Sequence, residues 1–154
     1  MDKYFMMSRR FDKKLPEDFG LVLSNDPEIF IMPSDKSKWK IRKLYDFGWG
    51  KENGFYKLPL LNFDELCNLI LSSEIEDNKY GAASIILDDY NYNLLKKCQE
   101  IFINNKNLKM YKEFFEILEL YKPINRSTII GKNYKEIKED FKKWVEIAEK
   151  IKTI

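Results

Sequence analysis

The sequence of 154 residues contains no histidine, and this absence excludes several common catalytic designs. Histidine is the usual base of nucleophilic triads and a frequent zinc ligand, so Ser-His-Asp catalysis, Cys-His catalysis and the usual zinc sites are ruled out. Carboxylate, lysine or tyrosine chemistry is still allowed. Because no residue pattern indicates such chemistry, we expect no enzymatic activity, no catalytic residues, no bound metal and no cofactor.

Cysteine is also scarce, since the chain has only Cys67 and Cys98. Both lie in apolar periodic segments, where an unpaired thiol usually behaves as a small buried hydrophobe. We therefore expect two reduced, buried thiols and a reducing compartment. A disulfide between the two is the alternative.

Long hydrophobic runs are missing as well. No window approaches the roughly 18 apolar residues that a membrane span needs. Residues 1–11 contain a short apolar stretch followed by Arg9 and Arg10, which is typical neither of a secretory nor of a twin-arginine signal. These absences predict a soluble, cytoplasmic protein without a membrane partner.

The chain does contain ample material for a core, with 44% hydrophobic and 15% aromatic residues. A disordered chain would have far less. Its 27 basic and 25 acidic side chains nearly balance. A dedicated nucleic-acid binder usually has a strong basic excess, so the balance disfavours that class.

The character of the sequence changes near Asn62. Residues 1–62 hold most of the proline and glycine and several short apolar runs, whereas residues 63–154 show long segments of helical period. We predict one α+β domain over residues 1–154. It consists of a small N-terminal antiparallel sheet packed against a C-terminal bundle of about five helices.

Short strands are predicted in four places of the N-terminal part, namely residues 21–23, 29–32, 38–45 and 55–61. The first two are continuous apolar runs, which are typical of buried strands. In the third, Trp39 and Ile41 alternate with Lys38, Lys40 and Arg42. This alternation predicts a half-buried strand with a basic outer face.

Helix starts are indicated by asparagines at positions 62, 78, 107 and 133. Glu65 and Glu136 stand three residues after the first and last of these, as in a capping box. The last helix carries an apolar stripe at helical spacing, which predicts a core-facing side. Its members are Tyr134, Ile137, Phe141, Trp144, Ala148 and Ile151.

Acidic side chains cluster around the second predicted helix, at Glu74, Glu76, Asp77, Asp88 and Asp89. Three interpretations are open: a solvated acidic loop, a carboxylate pair for metal or glycosidase chemistry, and an acidic patch that meets a basic partner. Trp49 lies in a glycine-rich turn, where an exposed tryptophan can anchor an interface. We take these six residues as the partner-binding candidates.

The alternative site is the basic strand with Lys38, Lys40, Arg42 and Lys43. Basic grooves with stacking aromatics bind single-stranded nucleic acid. Trp39, however, falls on the opposite face of the strand from most of these cations. A solvated strand face is therefore the preferred interpretation.

Two further patterns point to ligands only superficially. Asp89, Asn91, Asn93 and Glu100 match four positions of a calcium-binding loop, but Leu94 stands where that loop requires glycine. The turn at residues 48–54 is rich in glycine, but its spacing is not that of a dinucleotide-binding loop.

In size, in its content of lysine, isoleucine and asparagine, and in its order of strands before helices, the chain resembles the small bacterial immunity proteins. This resemblance implies an antitoxin-type, cytoplasmic protein that neutralises a partner toxin by covering its active site. Binding of single-stranded nucleic acid through residues 36–45 is the alternative function. A carboxylate enzyme is a third.

Overall fold

The computed structural model describes residues 2–8, 15–48, 50–104 and 106–154. Within these residues it confirms a mixed α+β fold, with a five-stranded antiparallel sheet in the N-terminal half and five α-helices after it. The chain divides into two compact units, Met1–Ser84 and Ile85–Ile154. The organisation of residues 1–154 as a single domain stays a prediction.

The strands and helices follow one another with short connections. The strands are β1 (Phe5–Met7), β2 (Val22–Leu23), β3 (Phe30–Ile31), β4 (Lys38–Asp46) and β5 (Lys51–Lys57). The helices are α1 (Phe63–Ser72), α2 (Glu76–Asp89), α3 (Asn91–Asn104), α4 (Lys112–Ile117) and α5 (Tyr134–Ile151). Across the sheet the order is β1-β5-β4-β3-β2, so the first strand lies beside the last.

One face of the sheet forms a small aromatic core. Trp39 and Phe55 are buried there together with Met6 and Leu21. The ring of Phe55 makes edge contacts with Phe19 and Phe30, each at 5.5 Å between centroids. Trp39 is therefore a core residue, as the alternation along β4 predicted.

The opposite face of the sheet packs against α2. Phe5 is opposite Tyr56 in the strand pairing, and its ring lies against the backbone of Gly81. A Cβ atom at Gly81 would overlap the Phe5 ring, and one at Gly54 would overlap the side chain of Leu44. Both glycines are thus required by close approach, the use that glycine inside a strand or helix often signals.

The outer edge of β1 is closed by side chains from the start of α2. Asn78 is fully buried, and its Oδ1 accepts hydrogen bonds from the backbone N–H groups of Tyr4 at 2.8 Å and Phe5 at 3.3 Å. Its Nδ2 donates to the carbonyl of Asp2 at 2.9 Å. The N–H of Met7 donates to Asp77 at 3.1 Å. A sheet edge that would otherwise be unpaired is covered in this way.

Several strand predictions need correction. β1 was not predicted, although its three residues are buried. β2 is an edge strand with Val22 51% and Leu23 60% exposed, so the predicted buried run at residues 21–23 is wrong except for Leu21. β5 begins at Lys51 rather than near residue 55. Short strands give too few residues for the period to separate buried from exposed positions.

The helix predictions fare better at their capped ends. The Asn62 side chain accepts from the Glu65 N–H, and the Glu65 carboxylate accepts from the Asn62 N–H, which forms the expected capping box. Asn133 likewise caps α5 through the Glu136 N–H at 2.9 Å. Asn78, in contrast, does not begin α2, which starts at Glu76. Asn107 precedes a short 3-10 helix at residues 108–111 and makes no capping bond with its side chain.

The C-terminal unit has a core formed by one side of each helix. Leu94, Leu95, Cys98 and Ile101 contribute from α3, and Phe114 and Phe115 from α4. Phe102 stacks on Phe115 at 5.4 Å between nearly parallel rings. α4 ends at Ile117, earlier than the predicted stop at Lys122-Pro123, because Glu119 adopts a positive φ of 53°.

Both cysteines are free and buried, which confirms the prediction of two reduced thiols. None of the helices in the described part of the chain combines the length and the apolar composition that a membrane span requires.

Replacing Asn78 by alanine should lower the free energy of unfolding by about 2–4 kcal/mol, because the buried N–H of Phe5 and the carbonyl of Asp2 would lose their partners. Urea unfolding followed by circular dichroism measures the change. Asn68→Ala on α1 is the matched control, because Asn68 is exposed. A loss for Asn78→Ala no larger than that of the control would contradict the proposed role at the sheet edge.

Replacing Trp144 by alanine should cost about 3–5 kcal/mol, the usual effect of emptying a buried aromatic site. Trp144 is fully buried, and its indole N–H donates to Ser127 Oγ at 2.9 Å. Tyr134→Ala on the same helix is the control and should change stability by less than about 0.5 kcal/mol, because Tyr134 is 78% exposed. Equal urea midpoints for the two variants would exclude Trp144 from the core.

Candidate functional site

The five acidic candidates fall into two groups at opposite ends of α2. Glu74, Glu76 and Asp77 lie at its start, whereas Asp88 and Asp89 form its last turn. A helix of 14 residues is roughly 20 Å long, so α2 does not bring the two groups together. Among the described residues, no cluster of three metal-binding side chains is present.

The individual acidic residues differ in their surroundings. Glu74, Glu76, Asp88 and Asp89 are exposed, but Asp77 is half-buried. Asp77 accepts the hydrogen bond from the Met7 N–H, so one of its carboxylate oxygens is already used to stabilise the edge of the sheet. Asp88 and Asp89 are therefore better placed than Asp77 for contact with another molecule.

The turn between β4 and β5 is held by Asp46. Its Oδ1 accepts from the backbone N–H groups of Gly48 at 2.7 Å and Gly50 at 2.9 Å. Trp49, the predicted aromatic anchor, lies outside the described residues. Next to the turn, the rings of Tyr45, Phe47 and Tyr80 contact one another at 4.9–5.0 Å between centroids. At these distances the three rings pack directly against one another.

The basic residues of β4 do not form one continuous cationic surface. Lys38 and Lys43 are exposed, whereas Lys40 and Arg42 are half-buried. By strand pairing, Lys40 and Arg42 share the sheet face of Phe5 and Gly54, which is the face toward α2. The predicted outer face is thus only partly in solvent. Trp39 is buried with its N–H bonded to Ser37, so it cannot stack on a base.

The residues of the calcium-like pattern lie on two helices. Asp89 ends α2, and residues 91–104 are helical. The helix keeps Asn91, Asn93 and Glu100 apart, so they cannot converge on one ion. This agrees with the leucine at position 94, where a calcium-binding loop requires glycine. This pattern does not form a loop that could surround an ion.

A different surface stands out in the C-terminal unit, where large apolar side chains are exposed. Ile130 is 87% and Tyr134 is 78% exposed, and Ile129 and Phe141 are also largely in solvent. Tyr134 and Phe141 belong to the stripe predicted to face the core, so that prediction is wrong for the first half of α5 and right for Trp144 and Ala148. Isolated exposed apolar residues are ordinary, but a group of four within thirteen residues is a candidate binding surface.

The segment before α5 is fixed in place by polar contacts. Arg126 donates to the carbonyls of Glu119 at 2.5 Å and Ile124 at 3.2 Å, and its guanidinium lies 5.4 Å from the ring centre of Trp144. Burial lowers the pKa of Arg126, but a guanidinium stays charged at neutral pH. Lys132 forms a salt bridge at 2.5 Å with Asp140, which lies about two turns into the helix. The exposed Ile129 and Ile130 therefore belong to a segment whose position is fixed by polar contacts on both sides.

The exposed side of α5 also forms a shallow groove of about 430 Å³. Its lining consists of Lys135, Lys138, Glu139, Phe141, Lys142 and Val145. The floor is apolar and three of the four charged residues at its rim are lysines. We call this feature the α5 groove. Sequence reasoning missed it because Phe141 belongs to the stripe that was predicted to face the core.

Comparison with known proteins does not place the chain in a family. No protein-family model, curated protein or solved structure matches it. Functional inference therefore depends on the residues of this chain.

Single-stranded nucleic acid should bind weakly, because Trp39 is buried in the sheet core and cannot stack on a base beside the exposed Lys38 and Lys43. We expect a Kd above about 100 µM for a labelled 15-residue oligouridine at 150 mM salt, measured by fluorescence anisotropy. The variant carrying Lys38→Glu and Lys43→Glu is the comparison. Micromolar binding that falls steeply with salt and is lost in this variant would restore the nucleic-acid function.

Proposed function

We propose that this protein works by binding another protein and that it neutralises its partner in the manner of an immunity protein. The supporting observation is the exposed apolar surface of the C-terminal unit. Ile129, Ile130, Tyr134 and Phe141 are four large apolar side chains within thirteen residues, and each is exposed to solvent. Aromatic residues at such positions are common energetic centres of protein interfaces.

The contacts that hold this surface favour binding without a large conformational change, because the surface is ordered before a partner docks. Asn133 caps α5, Lys132 bonds to Asp140, and Trp144 bonds to Ser127. A surface that is already ordered loses little conformational entropy when a partner docks. That property suits an inhibitor, whose residence time on its target depends on slow dissociation.

The neutralising role comes from the resemblance to bacterial immunity proteins in size and in the order of strands before helices. Two buried free thiols suit a reducing compartment, and the cytoplasm is the compartment we propose. Exposed Asp88 and Asp89 at the end of α2 are a second candidate contact, which would act mainly on association rate.

The test begins with affinity capture by the tagged protein in the cells that encode it, followed by separate purification of each retained protein. We expect one partner to bind the wild type with a Kd below about 1 µM and to lose its own activity in the complex. The double variant Tyr134→Asp and Phe141→Asp should bind at least about tenfold more weakly at unchanged urea stability.

The double variant Asp88→Lys and Asp89→Lys separates the two candidate surfaces, because we expect it to slow association while leaving dissociation nearly unchanged. If no captured protein binds the purified wild type below about 10 µM, the binding function is wrong. A partner that keeps full activity in the saturated complex would leave binding in place and overturn neutralisation.

A further inference from the structure

The α5 groove combines an apolar floor with an excess of positive charge. Tyr134, Phe141 and Val145 recur at intervals of seven and four residues, which places them along one side of the helix. Phe141 is 43% exposed and Val145 is half-buried. The alkyl stem of Lys138 lies in the same row and can add to the apolar floor while its ammonium group stays in water.

The charge beside this row is one-sided. Lys135, Lys138 and Lys142 are exposed, and only Glu139 opposes them at the groove. Within the described ranges, none of these three ammonium groups is in an ion pair with a carboxylate. An approaching group with negative charge would therefore meet cations that are still available, next to an apolar surface that gains from being covered.

We infer that the α5 groove binds an acidic amphipathic helix of the partner protein, an inference that rests on the proposed protein-binding function. The backbone groups of α5 are satisfied within the helix, so they cannot extend a partner's strand and recognition must use side chains. A helix that presents apolar residues at i, i+4, i+7 and i+11 matches the spacing of Tyr134, Lys138, Phe141 and Val145. Glutamate or aspartate beside that stripe would meet the lysines.

A second copy of this chain fits the groove poorly. A two-fold interface brings the same patch of both copies together. Three lysines and one glutamate on each side would then face a surface of the same net sign, which opposes association.

An anionic membrane surface is also disfavoured. A helix that lies in a membrane interface buries one broad apolar face between flanking cations. In α5 the broad apolar side, which includes Trp144, Ile147 and Ala148, is already buried in the C-terminal unit. Only the narrow row at Tyr134, Phe141 and Val145 is left for insertion.

The test uses designed probes with the whole protein. The first probe is an 18-residue helical peptide with leucine at i, i+4, i+7 and i+11 and glutamate at the flanking positions. The second has lysine in place of each glutamate, and the third is the first in scrambled order. We expect the acidic peptide alone to bind, with a Kd of about 10–100 µM that weakens as salt is raised. Isothermal titration calorimetry at 50 and 300 mM salt measures both.

Three variants locate the contact. Phe141→Asp should abolish peptide binding, and the pair Lys138→Glu with Lys142→Glu should weaken it at least about tenfold. Lys143→Glu is the matched charge control, because Lys143 is exposed on the opposite side of the same helix. It should change affinity less than about twofold. Urea unfolding of every variant verifies that the fold is intact.

Several results would overturn this inference. These are equal binding of the acidic and basic peptides, unchanged affinity in Phe141→Asp, or a loss in Lys143→Glu as large as that in the groove pair. Binding to vesicles of 30% phosphatidylserine that depends on Phe141, without peptide binding, would assign the groove to a membrane. Self-association that Phe141→Asp abolishes would assign it to a second copy. Because the peptides replace the natural partner, these failures leave the partner-capture result unaffected.

Discussion

The N-terminal unit depends on how one buried asparagine closes an edge of the sheet. β1 pairs with β5 on one side only, so the N–H groups of Phe5 and Met7 point away from the sheet. Asn78 and Asp77, in the first turn of α2, accept these bonds from residues 73 and 70 positions earlier in the chain. The same amide donates to the Asp2 carbonyl, which fixes the start of the strand. Strand edge and helix start are thus stabilised by one set of hydrogen bonds.

This contact also sets the distance between helix and sheet. With Asn78 bonded to the backbone of β1, Gly81 comes to lie one turn further on, against the ring of Phe5. A larger residue at position 81 would separate the two elements and lengthen the bonds to Asn78. The glycine therefore costs helix propensity but allows the polar contact, and the polar contact exceeds that cost because its groups are buried.

Local signals in the sequence were sufficient for some of these features and not for others. The caps at Asn62 and Asn133 were predicted because each needs only residues three positions apart. β1 was missed because its stability comes from β5 and Asn78, which no local pattern around residues 5–7 reveals. The buried role of Asn78 was likewise not predicted, since an asparagine before an apolar segment usually indicates a helix N-cap. The acidic candidates were found as a cluster in sequence, but α2 places them at its two ends.

The α5 groove illustrates a related limit. From Tyr134 to Ile151 the stripe keeps one helical period, so sequence alone assigns the whole of it to the core. The structure divides it: Trp144 and Ala148 are buried, while Tyr134 and Phe141 are exposed. What separates the halves is the set of partner residues from the rest of the unit, which a helical period cannot report. The exposed half also has lysines at the adjoining positions 135, 138 and 142, where a purely structural stripe would need only polar side chains of any charge. The apolar stripe of α5 thus extends beyond the part that is buried in the core, and lysines lie beside the exposed part. In this chain, that combination is the pattern that most directly indicates the proposed binding surface.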